Sequence, residues 1–324
     1  MALKKTFKLA VLTSGADASG MNFALSSVVK YAGSLSCRIT GFYDGFKGLI
    51  NNKYTEIDPY YFENLEDRGG TLLRTARTSE FKTEMGINRA VANIKESGID
   101  GLILIGGDGT FRGGHDLHRK GINVIGIPAS IYNDIAMTDY SIGFDSALNT
   151  IEEMVSNIRD TASSHNRLFI VEVMGKSSGN IALNAGVACG ADYIFIPEIS
   201  FDLLKITQCI KKQIRFKRRI IIITAEGAAK AYEVAASIST IIGQEVRISV
   251  IGYLQRGGPP SALDRMLAAR FARKAVDCLI AGKSNLMTAI KGRDIVMVAF
   301  DKVIKTEKPV NRDLYRLAHI LARH

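Results

Sequence analysis

The chain has 324 residues, 47% of them hydrophobic and 23% charged, the balance of a globular protein large enough for two domains. Its longest apolar runs, such as Ile220 to Ala225, fall far short of the roughly 20 residues a membrane span needs, and Leu9 to Leu12, behind Lys4, Lys5 and Lys8, is too short for a secretory core. Membrane and export roles are therefore not expected. Cys37, Cys189, Cys209 and Cys278 are scattered without CxxC spacing, which argues against a disulfide framework or zinc site and fits a reducing cytoplasm. The net charge of +10 points to an anionic partner: nucleic acid, anionic membrane or small phosphorylated ligands.

In chain order, Phe7 to Thr13 is a predicted strand ending in the turn SGADASG, and Met21 to Ala32 follows with helical spacing. Arg38 to Tyr43 and Gly101 to Ile105 are further strands, the latter running into GGDGT and a helix from about Phe111 to Arg119. Val124 to Ile127 is a strand ending at Pro128, and a helix from about Ala147 to Arg159 leads to the strand Arg167 to Met174. Tyr193 to Ile196, Arg219 to Thr224 and Arg247 to Leu254 read as strands between helices near 180–189, 202–214 and 228–242, with a last long helix from about Ser261 to Ala281. Apolar strands alternating with helices require a mostly parallel sheet covered on both faces. The expected fold is α/β, in two doubly wound lobes with a ligand cleft between them. In such folds ligands sit at the carboxyl ends of strands, where SGADASG, GGDGTFRGG, PASIYND and LQRGG all fall.

GGDGT, at Gly106 to Thr110, joins a strand to a helix. Glycines let backbone N–H groups approach phosphate, and the helix amino terminus favours anions. Asp108 is placed to hold Mg²⁺ directly or through water. The string alone is equally a tight turn with a capping Asp, and it also occurs in NAD kinases and diacylglycerol kinases.

Longer segments are more specific. KLAVLTSGADASGMN resembles the VLTSGGDAPGMN opening of the ATP-dependent 6-phosphofructokinases of bacterial type. GFYDGFKGL, GGTLLRTAR, DYSIG, RDTASSHNR, VEVMGKSSGNIAL, TAEGA and GYLQRGGPPSALDR follow that family's motifs in order, over about residues 7 to 270. The resemblance implies transfer of the γ-phosphoryl group of Mg-ATP to the 1-hydroxyl of fructose 6-phosphate, a reaction that depends on positioning and charge neutralisation. It implies a nucleotide-binding lobe of residues 1–143 plus about 258–304, and a sugar-phosphate lobe of 144–257 plus 305–324. Ala16, Arg77, Thr78, Gly107, Asp108, Gly109 and Thr110 would face ATP, with Asp108 serving Mg²⁺, while Gly15, Arg167, Asp134 and the general-base position, Tyr132 here, would form the catalytic set. Ser130, Arg167, Met174, Gly175, Lys176, Glu226, Arg247, Tyr253 and Arg256 would surround the sugar phosphate. In the family the arginines matching Arg167 and Arg247 reach in from a neighbouring subunit, so a tetramer is implied. Lys30, Arg159, Asp192, Arg215, Lys217, Arg218 and Arg219 fall at nucleotide-effector positions, although one effector arginine is Ser26 here. Taken singly, strand-end arginines and the basic run from Lys211 are also compatible with solvated surface, and Glu226 with a helix cap.

The departures cluster on the chemistry. The family's PGTIDND is PASIYND at Pro128 to Asp134, which puts Tyr132 where the general-base aspartate belongs and leaves Asp134 two residues away. A phenol of pKa near ~10 is protonated at neutral pH. Loss of a general base removes on the order of 10²–10⁴ in rate, roughly 3–5 kcal/mol. Ala16 replaces a glycine whose backbone contacts phosphate in the family, adding a Cβ that a positive φ would strain; Ser19 replaces a proline, and Arg74 replaces a glycine beside the expected ATP pocket. Lys176 replaces an arginine, keeping charge but losing forked geometry.

These features give the first reading: a phosphofructokinase paralogue that binds fructose 6-phosphate and adenine nucleotide with strongly impaired transfer, as a homotetramer or as a regulatory subunit beside an active partner. The alternative is an active glycolytic enzyme with a rearranged base. A pyrophosphate-dependent enzyme is disfavoured by Gly109 and Ala129, although Tyr253 is more usual there. Nucleic-acid binding has no supporting motif.

Overall fold

The computed structural model describes residues 6–216 and 219–322. They form two compact units, one comprising the chain up to Ser146 together with Arg256–Lys308, the other Ala147–Gln255 together with the chain from Pro309.

The first unit begins with β1 (Lys8–Thr13), α1 (Met21–Ser34), β2 (Arg38–Phe42), α2 (Phe46–Ile50) and β3 (Tyr54–Ile57). It continues through α3 (Glu84–Glu96), β4 (Gly101–Gly106), α4 (Asp108–Arg119) and β5 (Val124–Pro128). Helix α5 (Phe144–His165) carries the chain into the second unit, formed by β6 (Leu168–Val173), α6 (Asn180–Ala188), β7 (Tyr193–Phe195), α7 (Leu203–Gln213), β8 (Ile220–Ala225), α8 (Ala231–Ile242) and β9 (Val246–Val250). The chain then returns to the first unit for α9 (Ala262–Ile280), β10 (Leu286–Lys291), β11 (Asp294–Ala299) and α10 (Phe300–Lys305), and ends in the second with α11 (Arg312–Leu321).

The seven-stranded sheet has the order β11-β10-β5-β4-β1-β2-β3. Its pairings are parallel except at the two edges, β2–β3 and β10–β11. Chain order reverses between β1 and β4, so the carboxyl ends of those strands define the crevice where doubly wound sheets bind ligands. The second sheet, β7-β8-β6-β9, is wholly parallel and reverses between β6 and β9.

Strands β4 (GLILIG) and β8 (IIIITA) are buried at every position, as sheets covered on both faces require. Phe42, Leu104, Val124, Phe111 and Phe300 belong to one core cluster, with the last two rings stacked at 5.4 Å. Each such fully buried side chain contributes roughly 1.5–3 kcal/mol. Ile170, Ile210, Ile222 and Ile238 centre the core of the second unit.

Several boundaries differ from the sequence reading. Helix α4 starts at Asp108 rather than Phe111, because Gly107 caps it and both Thr110 and Phe111 donate back to the Gly107 carbonyl. Helix α5 runs from Phe144 to His165, longer at both ends than expected. The strand expected to reach Leu254 ends at Val250. Gly252, at φ +53°, turns the chain into a 3₁₀ segment whose Gln255 amide donates to the Gly252 carbonyl.

Candidate functional site

In the first unit, the ends of β1, β4 and β5 converge. The Ser14 N–H donates to the Ile105 carbonyl at 3.0 Å, joining the turn after β1 to β4. A Cβ on Gly106 would lie 2.3 Å from the Ser14 carbonyl oxygen, so only glycine permits this approach. Gly15, at φ +88°, faces Thr110 Oγ1 and the Gly107 N–H, and the space around Gly107 and Gly109 is open. The first N–H groups of α4 have no side-chain cap, which leaves donors for an anion. Thr110 is 2% exposed, yet its Oγ1 has no hydrogen-bond partner among the described residues.

The carboxylate of Asp108 is paired with Arg112 Nε at 2.9 Å, one helical turn on. Among the described residues no group of three or more His, Cys, Asp or Glu side chains could enclose a metal ion. Asp108 therefore suits an ion that brings most of its own ligands, as magnesium does when carried on nucleotide phosphates.

Two of the substitutions behave differently from expectation. Ala16 does not adopt positive φ, so its added Cβ brings no backbone strain. Arg74, by contrast, sits at φ +59°, in the left-handed region glycine favours. Its carbonyl accepts from Thr13 Oγ1 at 3.0 Å, while its guanidinium lies 5.3 Å from the Tyr43 ring centroid and 3.7 Å from the Asp44 carboxylate. The Ser19 hydroxyl donates to the carbonyls of Gly257 and Gly258, a tie no proline could make. Arg256 is paired with Asp17, Arg77 is exposed and Thr78 half-buried.

At the end of β5, Ala129 donates to the Gly106 carbonyl, which brings the Ser130–Asp134 segment beside the same turn. Tyr132 is half-buried, and its N–H donates to Ser130 Oγ at 3.2 Å. The Ser130 hydroxyl in turn donates to the exposed Asp134 carboxylate at 2.9 Å. Asn133, at φ +47°, accepts from the Ser141 N–H at 3.1 Å and from Lys308 Nζ at 2.9 Å. Burial pulls the Lys308 ammonium down to about 8, against the opposing pull of Asp139 and Asp134. Sequence reasoning missed Lys308, whose partners lie far away in the chain.

In the second unit the strand ends beyond β6, β8 and β9 meet. Met174 N–H donates to Gln255 Oε1 at 3.3 Å, and Gly175 N–H to Glu226 Oε1 at 3.4 Å. A Cβ on Gly227 would lie 1.9 Å from the Lys176 carbonyl oxygen, so this turn also requires glycine. Lys176 and Tyr253 are exposed here. Gln255, within the LQRGG segment, and Glu198, which accepts from the Gly179 N–H at 2.8 Å, are further site-end groups the sequence reading did not single out.

Arg167 and Arg247 do not join this group. Arg167 precedes β6, and Arg247 pairs in register with Phe169. At about 3.3 Å per residue, the seven residues from Arg167 to Met174 put roughly 23 Å between the two strand ends. Arg247 is instead paired with Glu245 at 2.8 Å.

Of the expected effector residues, Arg159 donates to the Cys189 carbonyl and Arg219 to Ser163 Oγ, while Asp192 accepts from the Ile221 N–H. These three thus gather where α5 ends and β8 begins. Arg215 is exposed near the end of α7. Lys30 lies in the first unit, paired with Glu66 at 3.0 Å. Lys217 and Arg218 lie outside the described residues.

No helix among the described residues is long and apolar enough to cross a membrane. Residues 8–279 match the family described as Phosphofructokinase. Curated relatives named ATP-dependent 6-phosphofructokinase include those of Clostridium botulinum (strain Loch Maree / Type A3), 43% identical over 97% of this chain and 99% of the relative, and Natranaerobius thermophilus, 45% identical with the same coverage. Among solved structures, phosphofructokinase from Saccharomyces cerevisiae superposes with a TM-score of 0.87 at 32% identity. That match covers 98% of this chain and 48% of the yeast chain, so this chain spans about half the length of its yeast relative. A pyrophosphate-dependent phosphofructokinase from Nitrosospira multiformis has a TM-score of 0.88 at 20% identity over 97% of this chain and 91% of that one, a likeness of fold alone.

Proposed function

Because this chain belongs to the phosphofructokinase family, we propose that it binds fructose 6-phosphate and adenine nucleotide, with phosphoryl transfer strongly impaired. The observation that carries this reading is the Ser130–Asp134 loop. At the position of the family's general base stands a phenol, Tyr132, and the one carboxylate of the loop, Asp134, is engaged by the Ser130 hydroxyl. The uncapped start of α4 and the Gly15, Gly107 and Gly109 backbone would take the nucleotide phosphates, with Ala16, Arg77, Thr78 and Thr110 beside them. Asp108 would serve Mg²⁺ carried on the nucleotide. Met174, Gly175, Lys176, Glu226 and Tyr253 would hold the sugar phosphate. On this reading the first unit is the nucleotide-binding lobe and the second the sugar-phosphate lobe.

The separation of Arg167 and Arg247 from Met174–Lys176 supports an assembly in which a second chain supplies these arginines, as a homotetramer or a hetero-oligomer with an active paralogue. The gathering of Arg159, Asp192 and Arg219 supports an effector site for a phosphorylated ligand. A cytoplasmic place in glycolysis follows from the same family reading.

A second reading, an active ATP-dependent enzyme with Asp134 as its base, draws support from the exposure of Asp134 and from the 43–45% identity to relatives named as ATP-dependent enzymes. A coupled assay for fructose 1,6-bisphosphate on purified wild type and Tyr132→Asp separates the two. Impairment predicts negligible wild-type turnover, a gain in the variant on the order of 10²–10⁴-fold, and a higher melting temperature with fructose 6-phosphate. Robust wild-type turnover would overturn it in favour of the second reading.

A further inference from the structure

Lys308 is the last residue of the first unit before the chain passes into the second at Pro309, and no step proposed above uses it. Its Nζ donates to Asn133 Oδ1 at 2.9 Å and to the Asp139 carbonyl at 3.0 Å. Asn133 Nδ2 donates to that same carbonyl at 3.0 Å, while its Oδ1 also accepts the Ser141 N–H. The Asp139 end is itself anchored, because its N–H donates to the Ile290 carbonyl and its carboxylate accepts from the Gly292 N–H at 2.7 Å. A single ammonium thus ties Asn133, which stands between Tyr132 and Asp134, to a segment fixed on the β10–β11 hairpin.

Asn133 holds a left-handed backbone conformation, which Asn tolerates better than most residues but which still needs outside support. The direction of Tyr132 relative to Asp134 depends in part on that pair of dihedrals. We propose that Lys308 is a positioning residue for the candidate catalytic loop, fixing Asn133 and through it the directions of Tyr132 and Asp134. The proposal rests on reading Ser130–Asp134 as the loop that meets the sugar hydroxyl.

Charge makes this clamp sensitive to pH. Burial lowers Lys308 to about 8, and the charged groups that oppose the shift are Asp139 and Asp134. Below that value the ammonium makes charge-assisted bonds, whereas the neutral amine above it keeps only ordinary ones, which are about half as strong. The loop should therefore loosen as pH rises through about 8.

Hydrogen exchange of full-length protein, read by mass spectrometry over residues 129–141 and corrected for intrinsic rates, tests this directly. At pH 7 Lys308→Met should exchange this segment about tenfold faster than wild type, with strands β1 and β4 unchanged. Wild-type exchange of the segment should rise toward the variant's between pH 7 and 9 while the variant stays flat, and Lys308→Arg should restore protection at both. Exchange within twofold of wild type at pH 7, or acceleration spread equally over β1 and β4, would overturn the proposal. A parallel calorimetric titration of wild type with fructose 6-phosphate reports on the functional reading. Local loosening without any sugar-phosphate binding would refute that reading and leave the clamp standing as a structural device only.

Discussion

The hydroxyl of Thr110 offers a test that separates ligand binding from stability. It sits inside the turn between Gly15 and Gly106, 2% exposed and without a hydrogen-bond partner among the described residues. Burying an unpartnered hydroxyl costs about 1–3 kcal/mol. Thr110→Val keeps the branched shape and removes the polar atom, so the ligand-free protein should gain about 1 kcal/mol, a rise of roughly 2 °C in melting temperature for a chain of this size. On the proposed reading, the same hydroxyl donates to a nucleotide phosphate when nucleotide binds. A lost hydrogen bond to a charged acceptor is worth about 1.5–3 kcal/mol, so affinity for Mg-ATP should fall roughly 10–100-fold. Scanning calorimetry without nucleotide, followed by isothermal titration with Mg-ATP, reads both effects on one preparation. A variant that melts lower than wild type would show that the hydroxyl already has a structural partner. Unchanged nucleotide affinity would remove Thr110 from the phosphate site.

Two further expectations concern the second unit. Gly227→Ala must push the Gly175–Lys176 turn aside, because the new methyl would lie 1.9 Å from the Lys176 carbonyl oxygen. Fructose 6-phosphate affinity should drop at least about tenfold (~1.4 kcal/mol) while Mg-ATP affinity holds, and equal loss of both in calorimetric titrations would contradict the division of roles between units. Burial raises the Cys189 thiol from 9.0 to about 11. Its raised folded-state value means that the contribution to stability is complete below about pH 9 and is lost as pH climbs toward 11, by at most about 2–3 kcal/mol. Denaturant melts across that range should show Cys189→Ala losing less stability than wild type, and parallel curves for the two proteins would disprove the assignment.

What was readable in the sequence follows from where burial leaves a pattern. Strands β1, β4 and β8 are covered on both faces and appear as unbroken apolar runs, so their places and the glycine turns after them were plain. Strand β11 is a half-buried antiparallel edge and β10 pairs with it across a two-residue turn, a weaker signal that went unread. Helix α3 did carry a legible cue, Thr83 capping Gly86 ahead of Ile87, Val91 and Ile94. At the site, residue types were legible but backbone states were not. Positive φ falls at Arg74 and not at Ala16, and the Arg74 carbonyl accepts from Thr13, 61 residues away, a contact no local pattern announces. Lys308 was invisible for the same reason, as its contact with Asn133 spans 175 residues.

The distance between Arg167 and Met174 has a genetic corollary. In an assembly where each chain lends its arginines across an interface, a damaged base and a damaged arginine in one subunit impair two different pockets. A chain carrying Tyr132 would leave its own pocket silent and still complete the one beside it. An active paralogue with an intact base but an altered arginine, expressed together with this chain, would then regain part of its activity, because this chain lends Arg167 across the interface. Inheritance of function in this protein would be a property of pairs of chains.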